Sequence, residues 1–446
     1  MAVVSEYVRS MFQWTVKREG IIAPDERPPA GQTIALGVQH IFAMFGATVL
    51  APVIMGFNPQ TAILFSGIGT LIFFFCVRGR VPSYLGSSFS FIAVVLSAEA
   101  ITWSGTGPNI PAALGGIIAC GALYAVIGLV VMAVGYKWVE FLMPPVVTGA
   151  VVAVIGLNLA PAAINYMIGT GKTADNFGIL VGLLTALVIA IVAVYAPGML
   201  KRLPILVGGV FGYILYFVLS NVLNIGGTHI DFNAVTSQPL LGWPVLTAPT
   251  FDSHAITLML PVAIVLVAEN LGHVKAVAAM TGKDLDPYIG RAFFADGVAT
   301  MVAGSGGGTG VTTYAENIGV MAVTKIYSSI VFVIAACVAI VLGFSPMFGA
   351  LVLSIPGPVL GGMAVVLFGL IATTGIRICV ENKVDFTDNK NFITMAVALT
   401  LGAGNLAITQ GDFSMGGIGT ACIGALLVYQ ILNKFGMGAK ETAPAA

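Results

Sequence analysis

The sequence predicts an all-α polytopic membrane protein with fourteen transmembrane segments arranged as a 7+7 inverted repeat. Composition is the first observation, because hydrophobic residues make up 58% of the 446 residues and charged residues only 9%, against about 25% in soluble domains. A soluble protein is excluded, since the chain lacks the residues for a polar surface. The formal net charge of zero argues against a nucleic-acid partner.

Apolar runs are the second observation, because a spanning helix needs about 20 mostly apolar residues. No cleavable signal peptide is visible, so we expect the first segment to direct insertion into the lipid bilayer. The predicted segments lie near 32–56, 60–77, 84–103, 111–134, 143–164, 176–196, 204–222, 254–280, 288–304, 311–326, 328–345, 356–376, 391–408 and 415–434.

The distribution of basic residues is the third observation. With a cytoplasmic N-terminus, only Lys172 of the 19 Lys and Arg residues falls outside, as the positive-inside rule requires. We therefore expect both termini to be cytoplasmic in a bacterial inner membrane. The predicted organisation is an N-terminal tail, a first repeat, an outside loop, a second repeat and a C-terminal tail, at 1–30, 31–225, 226–253, 254–435 and 436–446.

An odd number of segments in each half makes the second half enter from the opposite side, which is typical of an inverted repeat. The third segment of each half opens with small and polar residues, at 86–91 and 306–314. Glycine-interrupted segments at corresponding positions indicate broken helices at a substrate site. The alternative is that both stretches are ordinary loops before helices.

Glu269 follows a wholly apolar run, and His273 lies one helical turn further on the same face. An ionisable group deep in a membrane costs about 2.5–3.5 kcal/mol even on a mild scale, so we interpret Glu269 as a substrate-binding or proton-binding carboxylate with His273 as its partner. Structural hydrogen bonding between helices and metal binding are the alternatives. No second acid–histidine pair lies nearby, so we expect no metal.

Glu316 follows the second glycine-rich stretch. If that stretch is unwound, Glu316 lies in the first turn of a half-helix, where backbone N–H groups lack partners and the dipole is positive. The helix end then offers donors to a substrate carbonyl, and Glu316 offers an acceptor to a substrate N–H. The alternative is an acid that stabilises only its own helix.

Two carboxylate acceptors and two sets of backbone donors suit a flat neutral ring with alternating N–H and C=O groups, such as uracil or xanthine. Phe89 and Tyr314 are candidates for aromatic walls, or for ordinary packing. An anionic substrate is disfavoured, because no Arg or Lys lies deep in a segment. Burial disfavours the charged form of a carboxyl group, so we expect Glu269, relayed by His273, to carry a coupling proton; no cofactor is expected.

Three further features carry weaker expectations. Asp296 lies partway into its segment, five residues after Arg291, and is predicted to form an ion pair or a polar contact. His40, next to Gln39, is either part of the site or a satisfied interior histidine. The five cysteines form no CxxC pair and are predicted to be small buried residues without a disulfide or metal.

Several motifs resemble the nucleobase–ascorbate transporter family, over nearly the whole chain from about residue 24 to 435. The stretch at 316–325 matches the long and specific signature of that family, in which Asn317 and Thr324 are fixed positions. Weaker matches lie at Gln39-His40 with 45–48, at 84–89 with Ser87 and Ser88, at 144–149 and at 268–273. The chain is most similar to the bacterial uracil and pyrimidine permeases of the family.

The resemblance implies a core domain of segments 1–4 and 8–11, a gate domain of segments 5–7 and 12–14, and a homodimer. It also implies short antiparallel strands in segments 3 and 10, pyrimidine binding by Glu269 and Glu316, and backbone contacts at Phe89 and Ala315. Gln39, His40, Ser87, Ser88, Asn317 and Thr324 are expected to support the site. Glu rather than Gln at 316 is typical of the uracil branch.

Two positions depart from the uracil permease pattern: 310–313 reads Gly-Val-Thr-Thr rather than Pro-Asn-Thr-Thr, and Ala315 replaces a glycine. The expected function is proton-coupled import of uracil or a related pyrimidine, with a xanthine or urate carrier as the alternative. An enzyme is not expected, because the chain shows neither a positioned nucleophile nor a complete metal site. An anion transporter of similar fold would favour a cationic site.

Overall fold

The computed structural model describes residues 13–96, 109–169, 176–198, 200–410 and 413–441. The distal part of predicted segment 3 (97–103), Lys172 and parts of both predicted tails lie outside the described residues. The first half contains β1 (Thr15–Val16), β2 (Glu26–Arg27), α1 (Ala30–Met55), α2 (Pro59–Cys76), β3 (Leu85–Ser87), α3 (Ile92–Leu96), α4 (Ile110–Val134), α5 (Lys137–Leu142), α6 (Pro145–Ile168), α7 (Asn176–Tyr195) and α8 (Pro204–Phe217).

The second half contains the complementary set. After a short helix α9 (Asn233–Thr236) in the central loop come α10 (Ser253–Met259), α11 (Val262–Thr281), α12 (Ile289–Gly306), β4 (Val311–Thr313), α13 (Ala315–Thr324), α14 (Ser329–Gly343), α15 (Pro346–Leu353), α16 (Gly357–Glu381), α17 (Asn389–Ala403), β5 (Ile408–Gln410), β6 (Phe413–Met415) and α18 (Gly417–Glu441).

Local sequence explains where several helices begin and end. Asn58 and Asn109 each precede a helix with proline in its first turn, and their side chains accept hydrogen bonds from Thr61 N and Ala112 N. The first helix ends at Gly56, whose φ of 77° is the left-handed conformation that glycine adopts at helix ends.

Eight helices of the described chain are long and apolar enough to cross a membrane: α1, α2, α4, α6, α7, the helix from Pro204 to Val222, the helix from Ser253 to Thr281, and α16. The pair α14 and α15 forms a ninth candidate, bent by 85°. The other predicted segments correspond to short or more polar helices, namely α3, α12, α13, α17 and α18. The count of fourteen therefore stays a prediction.

Helix packing repeats between the two halves. The contact of α2 with α14 corresponds to that of α12 with α4, and the contact of α7 with α8 corresponds to that of α17 with α18. Likewise α6 packs on α17 and α18, while α16 packs on α7 and α8. Each pair is the image of another under exchange of the halves, as an inverted repeat predicts.

Small residues bring α4 and α12 into close contact. A Cβ atom added to Gly297 would lie 2.4 Å from Ala125 N, and one added to Gly128 would lie 2.3 Å from Phe294 N. The two backbones therefore pack directly on each other, as in membrane interfaces built from small residues.

The prediction that the cysteines are buried is correct in part. Cys120, Cys379 and Cys422 are buried, but Cys76 is half-buried and Cys337 is exposed on α14. The prediction that Cys337 is buried was therefore wrong. An apolar run in the sequence does not distinguish a helix face that packs on the core from one that faces lipid.

We expect Gly297→Leu to lower the midpoint of thermal unfolding by at least ~5 °C, because the side chain overlaps backbone atoms of α4. Thermal unfolding in detergent, followed by loss of the monodisperse species, measures the effect. Gly319→Leu is the matched control, since this glycine is exposed and a Cβ added to it would meet no neighbouring element within 4 Å. Equal stability of the Gly297 variant and the wild type would contradict direct packing of these helices.

Candidate substrate site

The centre of the site is a two-stranded antiparallel ribbon inside the helical bundle. Strand β3 pairs with β4 so that Leu85 lies opposite Thr313 and Ser87 lies opposite Val311. All six strand residues are buried. The ribbon joins the two predicted broken segments, so these stretches are not ordinary loops.

Two threonines bind the outer edges of the ribbon. The Thr70 hydroxyl on α2 accepts from Leu85 N at 2.9 Å, and its one proton is shared between Ser66 O at 2.8 Å and Leu85 O at 3.3 Å. The Thr300 hydroxyl on α12 accepts from Val311 N at 3.2 Å and donates to Val311 O at 3.0 Å. Each threonine thus provides a hydrogen-bond partner for the backbone of one strand residue whose polar groups point away from the opposite strand. Buried backbone polar groups require such partners.

Two further backbone bonds continue the ribbon at equivalent positions. Ser88 N donates to Gly310 O at 2.8 Å, and Tyr314 N donates to Tyr84 O at 3.0 Å. Beyond these bonds each strand leads into a helical turn, a 3₁₀ turn at Phe89–Phe91 and α13 respectively. Two helix N-termini therefore begin at opposite ends of the ribbon, where backbone donors are available to a ligand.

Residues of different chemistry occupy equivalent positions in the two repeats. Because Leu85 and Val311 are equivalent, Phe89 corresponds to Ala315 and Ser90 corresponds to Glu316. These are the predicted backbone-contact positions and their successors. One helix end presents an aromatic ring and a hydroxyl group, and the other presents a methyl group and a carboxylate.

The structure brings Glu269 and Glu316 together, since each is close enough to interact electrostatically with the other, and Ser90 lies beside Glu269. Both carboxylates are half-buried, and neither forms an ion pair with any described residue. Glu269 Oε2 is buried without a hydrogen-bond partner among the described residues. A buried acceptor of this kind indicates a position that a ligand or water occupies.

His273 does not bond to Glu269 directly in this arrangement. Its Nδ1 atom lies 2.8 Å from the Thr313 hydroxyl on β4, so the ring is held against the ribbon. No group of His, Cys, Asp and Glu suited to a metal ion occurs in the described part of the chain.

Asp296 is a buried acid whose importance the sequence understated. It is 0% exposed, and it accepts a hydrogen bond from Asn270 Nδ2 at 2.6 Å. Arg291 instead donates to the Cys76 carbonyl, so the polar contact formed and the ion pair did not. Asn270, the partner of Asp296, directly follows Glu269 in the sequence. A polar residue at that position was the only sequence feature that could have suggested a buried partner for Asp296.

Tyr314 is fixed by contacts inside the ribbon. Its hydroxyl donates to Ser87 O at 2.8 Å and accepts from Thr48 Oγ1 at 3.2 Å. A Cβ atom on Gly86 would lie 2.4 Å from the ring, so only glycine fits there. The Ser87 hydroxyl also accepts from Thr309 at 2.6 Å. These contacts favour a packing role for the Tyr314 ring.

Phe368 on α16 is a neighbour of the site that sequence reasoning missed. Its ring meets the Phe89 ring edge to face, with centroids 5.8 Å apart. Phe368 lies in an apolar helix and has no distinguishing pattern, so only the structure identifies it.

The remaining predicted supporting residues lie around α13. Asn317 Nδ2 lies 3.0 Å from both His40 Nδ1 and His40 O, which links the signature helix to α1. Gln39 is buried, and its Nε2 has no hydrogen-bond partner among the described residues. Thr324 bonds back to the Val320 carbonyl at 2.9 Å, so it closes the end of α13 and lies away from the carboxylates.

A sequence model of a permease family, named for xanthine and uracil permeases, matches residues 31–411 of this chain. The chain belongs to this family. It is therefore a multi-pass membrane transporter and not an enzyme, and the resemblance found in its motifs is confirmed.

Similar curated proteins cover nearly the full length of the chain. A putative pyrimidine permease, RutG, of Escherichia coli K12 is 56% identical over 420 residues, 94% of this chain and 94% of that protein. The uracil permeases of Paenibacillus larvae and E. coli K12 are 40% and 39% identical, over 93% and 92% of this chain and 97% and 94% of theirs.

Solved structures show the same fold at low identity. The transmembrane domain of the cyanobacterial bicarbonate transporter BicA aligns with a TM-score of 0.59 and 15% identity, over 94% of this chain and all of that one (100%). SLC26A9 aligns with a TM-score of 0.64 and 13% identity, over 90% of this chain and 65% of that one. These likenesses concern the fold alone.

We expect Thr70→Val and Thr300→Val each to destabilise the protein by about 1–3 kcal/mol, because each leaves a buried strand N–H without an acceptor. Thermal unfolding in detergent measures both. Thr373→Val is the control, because that hydroxyl is exposed and bonds only within its own helix. If all three variants unfolded alike, the threonines would not be what satisfies the ribbon.

Proposed function

We propose that this permease is a proton-coupled symporter that imports uracil or a related pyrimidine nucleobase across the bacterial inner membrane by alternating access. One observation carries the proposal: two carboxylates that have no basic partner among the described residues lie together at a ribbon from which two helix N-termini begin. Relatives named uracil permease and pyrimidine permease support the substrate class.

Uracil matches the proposed site group by group. Its two N–H groups face the carboxylate oxygens of Glu269 and Glu316, and its carbonyls face the backbone N–H groups of Phe89 and Ala315. The Phe89 ring supplies a wall for the flat base. A neutral ring also fits a site in which neither carboxylate has a cationic partner within the described part of the chain, whereas an anion would be repelled.

The proposed architecture has fourteen spans, with α1–α4 and α10–α15 in a core domain and α6–α8 and α16–α18 in a gate domain. The repeated helix packing supports this division, because α6, α7, α8, α16, α17 and α18 pack mainly on each other. Phe368 then lies on the gate side of the site, against Phe89 of the core. Cytoplasmic termini and a homodimer through the gate domains complete the proposal.

Glu269 is the proposed proton carrier, with His273 beside it. A carboxyl group that exchanges its proton on the two sides of the membrane links substrate binding to the proton gradient. His273 is held by Thr313 of the ribbon, so a change at the ribbon moves the histidine that lies one helical turn from Glu269.

We expect proteoliposomes with wild-type protein to accumulate labelled uracil under an inward proton gradient. Unlabelled uracil or thymine, but not xanthine, should block this uptake. Uptake blocked best by xanthine would instead favour the purine alternative, and uptake indifferent to the gradient would leave a facilitator without coupling.

We expect Glu269→Gln to reduce gradient-driven accumulation at least ~10-fold, because an amide cannot carry the proton and loses one acceptor for the base. The same uptake assay measures it, with Glu381→Gln, an exposed acid at the end of α16, as the matched control. A Glu269 variant that still accumulated uracil uphill would refute the coupling role.

We expect Glu316→Gln to weaken uracil competition by about 10–100-fold, since an acceptor facing a substrate N–H becomes partly a donor. Xanthine, which should not block the wild type, should begin to compete in the variant, since glutamine at this position is typical of the purine branch. A competition assay with both bases checks this; uracil competition equal to that of the wild type would contradict direct recognition of the base by Glu316.

A further inference from the structure

The segment before the first helix, residues 14–27, crosses one end of the bundle and is called the strap below. Its two short strands, β1 and β2, pair in parallel. An ion pair between Lys17 Nζ and Glu26 Oε2, at 3.0 Å, lies within the strap itself. Other bonds connect the strap to three separate turns of the bundle.

The first connection is to the end of the signature helix α13. Ile22, which is only 3% exposed, donates its backbone N–H to Lys325 O at 3.1 Å. Its carbonyl accepts from Tyr327 N at 2.8 Å. Lys325 is the left-handed cap of α13, with φ of 58°, so the strap binds the helix end whose opposite end carries Glu316.

The same turn is held a second time at the start of α14. Ser329 donates its N–H and its hydroxyl to Pro24 O, at 3.1 and 2.8 Å. The hydroxyl also accepts from the Trp14 indole N–H at 3.0 Å. The strap therefore encloses the turn between α13 and α14.

Asp25 joins two further turns. Its Oδ1 lies 3.0 Å from Lys283 Nζ, just after α11, and its Oδ2 lies 3.5 Å from the Arg80 guanidinium, just before β3. The hydrogen bond from Lys283 holds the pKa of Asp25 below its ordinary value, so the carboxylate is charged at neutral pH. Each pair is half-exposed, and such pairs are individually weak.

The three turns share one property: each belongs to a segment that carries a proposed site residue. Arg80 leads into β3 and Phe89, Lys283 follows the helix of Glu269 and His273, and Lys325 ends the helix of Glu316. Helix α13 has ten residues and is therefore about 15 Å long, so a shift of its end is transmitted to Glu316.

We propose that residues 14–27 form a positioning strap, centred on Asp25, that keeps the three site-bearing segments in one arrangement during transport. The expected effect on the KM for uracil rests on the proposed function, whereas the expected effect on the order of the three segments does not. Asp25 does not touch the substrate; it acts through the turns that it joins.

The test compares Asp25→Asn/Ser329→Ala, which removes the contacts of both side chains, with Lys17→Gln. The Lys17 variant removes only contacts inside the strap, namely the ion pair with Glu26 and the hydrogen bond to Ile21 O at 2.7 Å. We expect the double variant to raise the KM for uracil about threefold to tenfold with a similar yield of folded protein, and Lys17→Gln to leave the KM unchanged. Asp25→Glu should restore most of the affinity lost in Asp25→Asn.

A double-mutant cycle tests the central position of Asp25. Asp25→Asn/Lys283→Gln should be no worse than Asp25→Asn alone, because both changes remove the same pair. Additive losses would overturn this assignment. A lower unfolding temperature with an unchanged KM would overturn positioning and leave a purely stabilising role.

Hydrogen–deuterium exchange separates failure of the strap from failure of the proposed function. Peptides covering 311–324 should exchange faster in Asp25→Asn/Ser329→Ala and at the wild-type rate in Lys17→Gln, whatever the substrate is. Unchanged exchange in both variants would refute the strap. If exchange changed but wild-type liposomes took up no uracil, only the proposed substrate would be wrong.

Discussion

The structure depends on one constraint: backbone polar groups inside a membrane must find partners within the protein. Two segments break their helices and so release N–H and C=O groups that cost several kcal/mol each if left alone. The chain resolves this by pairing the two breaks with each other as β3 and β4, and by placing Thr70 and Thr300 on the outer edges. Neither break is satisfied without the other, so the two halves of the protein meet at the ribbon.

The same solution creates the candidate substrate site. A helix that restarts after a strand exposes its first N–H groups, and two such helices begin where the ribbon ends. Glu269 approaches from α11 and Glu316 from the first turn of α13, and neither meets a cation among the described residues. The geometry therefore combines donors from the backbone with acceptors from side chains, a combination that suits the neutral hydrogen-bonding ring of the proposed substrate.

The sequence predicts these features unevenly, for physical reasons. Broken segments were predictable because glycine and polar residues interrupt apolar runs, and Glu269 and Glu316 were predictable because buried charge is costly. Thr70 and Phe368 were not, since a threonine or phenylalanine in an apolar helix has no distinguishing pattern. Asp296 was given too little weight because Arg291 lies near it in sequence, whereas its partner Asn270 lies on another helix. The strap could not be predicted from the sequence, because most of its hydrogen bonds to the bundle involve its backbone atoms, and these leave no pattern of residue types.

The repeat also explains how a symmetric scaffold binds an asymmetric molecule. The backbone hydrogen bonds on the two sides of the ribbon are equivalent, and each outer edge donates an N–H to a threonine hydroxyl, that of Thr70 or that of Thr300. The side chains that follow are not, because Phe89 and Ser90 stand where the other half has Ala315 and Glu316. A pyrimidine has N–H and C=O groups on its edge but no twofold axis through its ring that preserves them all. Symmetric donors alone would accept such a ring in two orientations. In the proposed site the unequal side chains leave one orientation, with the face of the ring on Phe89 and its edge on Glu316.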